Sequence, residues 1–437
     1  MNREKLKSFN YAIGMFGTSI PINMLKTYAA IYYVDRLGLT TPQFATILLV
    51  YTFIDALDNP IYGFLSDRTR SRWGRRRPWL VIGTPLLALG LIAFYSTPEF
   101  LAGQSLLAYA MLFYIFTGTI DSVINANYGA LFPELFRTDA SRAATNALRQ
   151  AFQLVAMIIS IALTPMITNA IGFSLTAIIY GIVGGAVILY MSLTAREVKV
   201  EELADKPPLI KSLKDLVTNV KFWLVGFTNA FYSAAMSLVL ASLPFYAKYT
   251  LGISAGQQTI LYAAVLIIAI VCVAVWARLV RRFTLIPVWR IALASLAIAF
   301  VALYFANSLP TAIVGSALVG FGFAGVITTM DLIGAKVIDE DTMKYNLRRE
   351  GIISNALGFM NRLNGLFTSA AFWLVFRLFG FESGENPGNA PDQAARFLMT
   401  LFPILMMVIS FAFSFTVNFR KTEPSIEAPR PASLPTE

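Results

Sequence analysis

About twelve apolar stretches, each near or above the 20 residues that cross a bilayer core, run through this chain almost end to end. They fall near 10–33, 42–66, 78–97, 102–132, 143–169, 172–194, 221–248, 257–280, 286–306, 309–336, 351–379 and 396–418. Apolar residues make up 57% of the chain and charged residues 14%, against about 45–50% and about 25% in soluble domains. The surplus apolar surface has to face lipid. Only helices and closed barrels satisfy their backbone there. A barrel shows alternating segments of about 10 residues, whereas these runs are longer and uniformly apolar. The expectation is an all-α membrane protein of twelve transmembrane helices, with a lipid bilayer as its surroundings. The first run, Tyr11 to Val34, exceeds the 7–15 residues of a signal-peptide core and is expected to be retained.

The loops set the orientation. Basic residues gather after the second span (Arg68, Arg70, Arg72, Arg75, Arg76, Arg77), the fourth (Arg137, Arg142), the sixth (Arg196 to Lys221), the eighth (Arg278, Arg281, Arg282) and the tenth (Lys344, Arg348, Arg349). The opposite loops carry only scattered cases, Arg36, Lys248 and Arg396. By the positive-inside rule both termini face the cytoplasm of a multi-pass inner-membrane protein. The same pattern accounts for the net charge of +10, so no nucleic-acid partner is expected. The polar connector near 195–220, with Pro207 and Pro208, separates six spans from six. The expected organisation is a six-helix half at 1–194, a cytoplasmic linker at 195–220, a second half at 221–420 and a disordered tail at 421–437. Halves of this kind rock about a site near the midplane in many transporters. The basic turn after the second span has a shorter counterpart after the eighth, a weak internal echo.

Histidine is absent and Cys272 is the single cysteine. The commonest metal ligand and general base are therefore missing, no internal disulfide can form, and no nucleophile motif stands out. Neither an enzyme nor a bound cofactor is expected. A monomer that carries a small-molecule substrate is.

Ionisable residues inside the apolar runs carry the functional signal, because each costs about 2.5–3.5 kcal/mol at the bilayer centre. They are Lys26, Asp55, Asp58, Asp121, Arg149, Asp331 and Arg362. Asp55 and Asp58 lie one turn apart and share a helix face. They either share a coupling cation or proton, or pair with Arg149 or Lys26 to hold helices together. Arg149 offers a fork of donors for sugar hydroxyls or an anionic group, or pairs with a carboxylate of the first two spans. Lys26 meets solute or snorkels outward. Arg362 should face the cavity. Asp121 and Asn125 share a face of the fourth span and either line the cavity or cap a helix contact; Tyr128 beyond them offers the cavity a ring face and a hydroxyl, or, as aromatic residues more often do, packs. Asp67, Arg68, Arg75 and Arg76 form either an ionic gate between the second and third spans or a topogenic signal that also attracts anionic lipid.

Asp55-Ala-Leu-Asp-Asn-Pro60, Gly63-Phe-Leu-Ser-Asp67-Arg68 and Arg72-Trp-Gly-Arg-Arg-Arg-Pro-Trp79 together resemble the glycoside-pentoside-hexuronide:cation symporter family, the melibiose-permease branch of the major facilitator superfamily. Tyr128-Gly-Ala-Leu-Phe-Pro-Glu-Leu135, Arg142 with Arg149, and Arg348-Arg-Glu-Gly351 extend the likeness into both halves. The resemblance implies a major facilitator fold, alternating access and a sugar-like substrate driven by Na⁺ or H⁺. It matches Asp55 to a cation-site aspartate, Arg149 to a sugar-contacting arginine and Arg362 to a position usually held by lysine near the cation site. Three positions depart from the family. Asn59 replaces the aspartate before the proline, with Asp58 pointing about 100° away from it. Ser19 stands where the melibiose permease has a sugar-binding aspartate, and Asn125 where it has a cation-site aspartate. The cation site is thus altered, which opens H⁺ coupling or uncoupled facilitation beside Na⁺ symport. With Lys26 and Arg362 added, the cavity tilts toward an anionic sugar. A lysophospholipid carrier of the same fold and a non-transporting membrane sensor are the alternatives.

Overall fold

The computed structural model describes residues 3–136, 139–194, 218–345 and 350–418. Among these, every regular element is helical. In chain order they are α1 (Arg3–Ala12), α2 (Gly14–Ala30), α3 (Thr41–Arg68), α4 (Arg77–Tyr95), α5 (Gly103–Leu135), α6 (Asp139–Met157), α7 (Thr164–Thr194), α8 (Val220–Phe245), α9 (Ala255–Phe283), α10 (Leu285–Tyr304), α11 (Leu309–Tyr345), α12 (Glu350–Arg362), α13 (Asn364–Phe379), α14 (Pro391–Arg396) and α15 (Phe402–Thr416). Short π-helical turns extend α2 (Ile31–Arg36), α6 (Ile158–Ala162), α8 (Tyr246–Leu251) and α14 (Phe397–Leu401). α7 is broken at Gly172, whose φ of 81° lies in the left-handed region that glycine adopts without strain. The predicted boundary between the fifth and sixth spans falls there. Eight helices among the described residues are long and apolar enough to cross a membrane. The linker at 195–217, the tail beyond 418, and the loop residues Arg137, Arg348 and Arg349 lie outside the described residues, as do the side chains of Arg142 and Asp331.

The stretches before residue 195 and after residue 217 repeat the same local devices. A reciprocal capping box starts α3 (Thr40 with Gln43) and another starts α9 (Ser254 with Gln257). Tyr33 ends the first helical path by donating to the Phe94 carbonyl at 2.8 Å, and Tyr246 does the same with Leu303 at 3.0 Å. Arg77 caps the end of α7 through the Ser192 and Leu193 carbonyls. Arg290 caps the end of α15 through Ser414 and Val417. One common offset in residue number carries Tyr33 onto Tyr246, Arg77 onto Arg290 and Asp35 onto Lys248. Guanidinium groups suit these ends because the last carbonyls of a helix carry partial negative charge. Arg77 and Arg290 thus have a structural task besides any topogenic one.

The two stretches meet at the end of the bundle that bears Asp35. Lys248 reaches the Asp35 carboxylate at 2.7 and 2.8 Å, and the Tyr249 hydroxyl donates to the same group. Backbone bonds lie beside this clasp, from Gly384 to Val34 (2.9 Å) and from Thr41 to Glu382 (2.7 Å). The other scattered bases of this end are also engaged. Arg36 lies over the Phe173 ring, and Arg396 donates to the Tyr304 and Ala306 carbonyls.

Removing one partner of the clasp should loosen this end. A hydrogen bond to a charged group contributes about 1.5–3 kcal/mol, so Asp35→Asn should speed amide exchange across 246–252 and 380–385 about tenfold or more. Hydrogen-exchange mass spectrometry on the detergent-solubilised protein reads this directly, and unchanged exchange would remove the clasp from the account.

Candidate functional site

Thr52, Asp55 and Asp58 occupy successive turns of α3 and share one face. Helix α3 meets α12 and α13 in antiparallel register. Ser369 donates to the Ala45 carbonyl at 2.6 Å, Gly365 lies against Thr52, and Arg362 lies against Asp55. The approach depends on Gly365, because a Cβ there would land on the Thr52 side chain. One turn away, Arg362 is the last residue of α12, just before the tightened turn at Leu363. Its Nη1 donates to the Asp55 carboxylate and, at 2.7 Å, to the Asp55 carbonyl. Tyr51 and Ser122 also donate to Asp55, at 3.3 and 3.0 Å. Asp55 is buried, 8% exposed, and so has its charge matched from three helices.

Two further carboxylates adjoin the pair. Asp58 is buried beside Thr119, and neither its Oδ2 nor the Thr119 hydroxyl has a hydrogen-bond partner among the described residues. Asp121 on α5 is also buried and accepts from Asn125 Nδ2 at 2.8 Å. Lys26, Asp55 and Arg362 all lie within electrostatic reach of Asp121. The structure therefore gathers Asp55, Asp58, Asp121, Asn125, Arg362 and Lys26, predicted from four separate spans, around one region. Lys26 has an accessible side chain. It shares a face of α2 with buried Ser19 and with Asn23, which donates to Ser160 on the π-helical turn after α6.

Arg149 and Tyr128 form a second group. Tyr128 is 1% exposed and stacks on Tyr11 with centroids 4.6 Å apart. The two tyrosine hydroxyls bond reciprocally to each other's backbone carbonyl, at 2.6 and 3.1 Å. Neither the ring face against Tyr11 nor the hydroxyl of Tyr128 is open to a solute in this conformation. Arg149 lies over Tyr128, Phe132 and Tyr11 and makes no ion pair with Asp55, Asp58 or any other described carboxylate. The pairing of those acids with Arg149 considered from the sequence is not formed; Arg362 takes that place.

Of the gating candidates, Arg76 is buried and directs Nη1 toward Ser66 Oγ at 3.4 Å, tying the α3–α4 turn to the end of α3. Arg75 lies in the same turn and is engaged. The side chains of Asn59, Asp67 and Arg68 lie outside the described residues. Sequence reasoning missed Tyr51, Thr52, Ser122, Asn23 and Gly365. Tyr51 was findable, since it precedes Asp55 by four residues on the same face. A separate cavity of about 460 Å³ opens at the Asp35 end beside Tyr304, Asn307, Phe379 and Asp392, and the arginine in it, Arg396, is already spent on carbonyls.

A carboxylate whose guanidinium partner stands on another helix can exchange that partner for a proton or a small cation without leaving a bare charge. Such exchange coupled to helix movement suits a carrier.

The family described as MFS/sugar transport protein matches residues 10–421. The chain is similar to the isoprimeverose transporter of Lactiplantibacillus pentosus, with 24% identity covering 96% of this chain and 90% of that one. It is also similar to the glucuronide carrier protein homolog of Escherichia coli K12, with 23% identity covering 92% and 90%. Its fold matches the crystal structure of a point mutant of the nucleoside transporter NupG with a TM-score of 0.72 at 11% identity, over 94% of this chain and 100% of that one.

The seating of Arg362 on Asp55 through Gly365 makes a stability prediction. Gly365→Ala should destabilise by about 1–3 kcal/mol, as overpacking does. Adding Thr52→Ala should recover much of the loss by clearing the hydroxyl that the new Cβ meets. Thermal melts of the single and double variants check this; equal losses in both would mean the close approach does not matter.

Proposed function

The chain belongs to the MFS/sugar transport family, and from that premise we propose that it moves a sugar or glycoside by alternating access, coupled to symport of H⁺ or Na⁺. Twelve spans in two six-helix halves, 1–194 and 221–420, would form the carrier. The Arg77 end faces the cytoplasm together with both termini, and the protein works as a monomer in the inner membrane. No cofactor takes part beyond the coupling ion.

The observation that carries this reading is the Asp55–Arg362 pair, which joins α3 to α12 with Asp55 buried and Arg362 half-buried. Breaking a buried pair on one side alone costs about 3–5 kcal/mol. While Arg362 holds Asp55 and Lys248 holds Asp35, the halves stay together along α3 and α13. A proton or cation at Asp55 neutralises it and lets α12 part from α3. Asp58 and Asp121 adjoin the coupling position, Asn59 is assigned to it from the sequence, and Arg362 reports its occupancy to the second half. Ser19, Lys26, Asn125 and Arg149, with Tyr128 as support for Arg149, line the solute path. Asp67, Arg68, Arg75 and Arg76 gate the cytoplasmic end.

Uptake into proteoliposomes under imposed Na⁺ and H⁺ gradients tests the assignment against a panel of labelled methyl glycosides. Asp55→Asn should still equilibrate solute down its own gradient but no longer concentrate it, because an uncoupled carrier draws no free energy from the ion gradient. Accumulation equal to that of the unaltered protein would show that Asp55 does not couple.

A further inference from the structure

Two cavities share a wall at the Asp35 end of the bundle, away from the carboxylate centre. The first, of about 460 Å³, is lined by Tyr304, Asn307, Asp392, Gln393 and Arg396 among others. The second, of about 390 Å³, is apolar save for Thr311 and runs over Ala302, Ala306, Val314 and Gly315. Phe305 lines both and is 70% exposed. It stands in the turn between α10 and α11, two helices long and apolar enough to cross a membrane. Such a turn lies where hydrocarbon gives way to headgroups. Asp392 and Arg396 are one turn apart on α14 and share a face, yet they do not pair. Asp392 makes no side-chain hydrogen bond or ion pair among the described residues. Arg396 gives Nη1 to the Tyr304 and Ala306 carbonyls and one N–H of Nη2 to Asn307 Oδ1. Its Nε–H and its other Nη2–H have no partner among the described residues.

We propose that this corner of the bundle holds a phospholipid with a primary-ammonium headgroup, its phosphate on Arg396, its ammonium on Asp392 and one acyl chain in the groove beyond Phe305. The two protein charges cancel, so the cavity matches a zwitterion rather than an anion or a cation alone. A headgroup of net negative charge would bring like charge against Asp392, which costs affinity. A choline headgroup keeps the positive charge but has no N–H to donate, and hydrogen bonds between charged groups are the stronger kind. Lipid tails are as apolar as the groove, so the chain adds fit rather than driving force and the headgroup contacts carry the selectivity. The bilayer itself presents headgroups at this depth at high local concentration. The site also adjoins the clasp. Thr250 donates to the Asp392 carbonyl at 3.2 Å, and Lys248, two residues earlier, holds Asp35. A lipid seated on Asp392 therefore braces the turn that presents Lys248.

The inference concerns the lipid boundary and holds whichever solute is carried. Full-length protein in detergent is titrated with phosphatidylethanolamine, phosphatidylcholine and phosphatidylglycerol of identical chains, and native mass spectrometry reads the first lipid bound. Phosphatidylethanolamine should bind about threefold or more tightly than either of the others, the margin expected of an exposed ionic contact. Asp392→Asn should reduce it to the level of phosphatidylcholine. Val314→Trp, which fills the groove from a position 60% exposed, should weaken the first binding of all three. Lipid-free melting temperatures and gel filtration show that both variants fold. Equal binding of the three lipids would overturn the inference, as would tighter binding of phosphatidylcholine or phosphatidylglycerol. A folded Asp392→Asn protein that keeps the preference, or a Val314→Trp protein that binds as the unaltered one does, would overturn it too.

Discussion

A carboxylate and a guanidinium from helices far apart in sequence meet inside an apolar bundle, and the rest of the structure is arranged around that meeting. Asp55 and Arg362 each carry a charge that lipid-exposed helices cannot hold cheaply. Together, with Tyr51 and Ser122 completing the carboxylate's hydrogen bonds, they form a matched set. The match requires α3 and α13 to approach closely, which Gly365 permits. It also requires α12 to end at Arg362, so that the side chain leaves the helix toward α3.

The devices at the two ends of the bundle come from duplicated geometry. Tyr33 with Tyr246 and Arg77 with Arg290 do the same jobs at equivalent places. Asp35 and Lys248 are also equivalent by the same offset, yet they carry opposite charges and clasp each other. Repeats related by an axis along the membrane normal bring equivalent positions together near that axis. Opposite charges at such positions attract where identical ones would repel. The centre is asymmetric: three carboxylates lie in the first stretch, and Arg362 answers them from the second.

The helical architecture was legible because lipid leaves the backbone only helices or closed barrels, and the apolar runs are too long and too uniform for barrel strands. The buried ionisable residues were legible one by one, since any charge in such a run demands a reason. Their pairing was not. Asp55 and Arg362 are 307 residues apart, and which cation reaches which acid depends on helix register set by small contacts such as Gly365 on Thr52. The π-helical turns and the interruption at Leu363 were not read from the sequence either, although Pro244 and Gly252 flank one turn, Pro165 and Pro403 follow two others and Gly365 follows Leu363. For Tyr128 the sequence weighed a cavity wall against packing and favoured packing, and Tyr11, distant in sequence, is the ring it packs against. That same packing leaves Arg149 resting on aromatic faces rather than on a carboxylate.

The central claim is that Asp55 and Arg362 are energetically one unit that ties α3 to α12. A double-mutant cycle on unfolding stability with Asp55→Asn and Arg362→Gln measures it directly. The account predicts that the double variant loses less than the two single variants combined, with a coupling of about 1–3 kcal/mol. Additive losses, within about 0.5 kcal/mol, would mean the two charges are held independently and would contradict it.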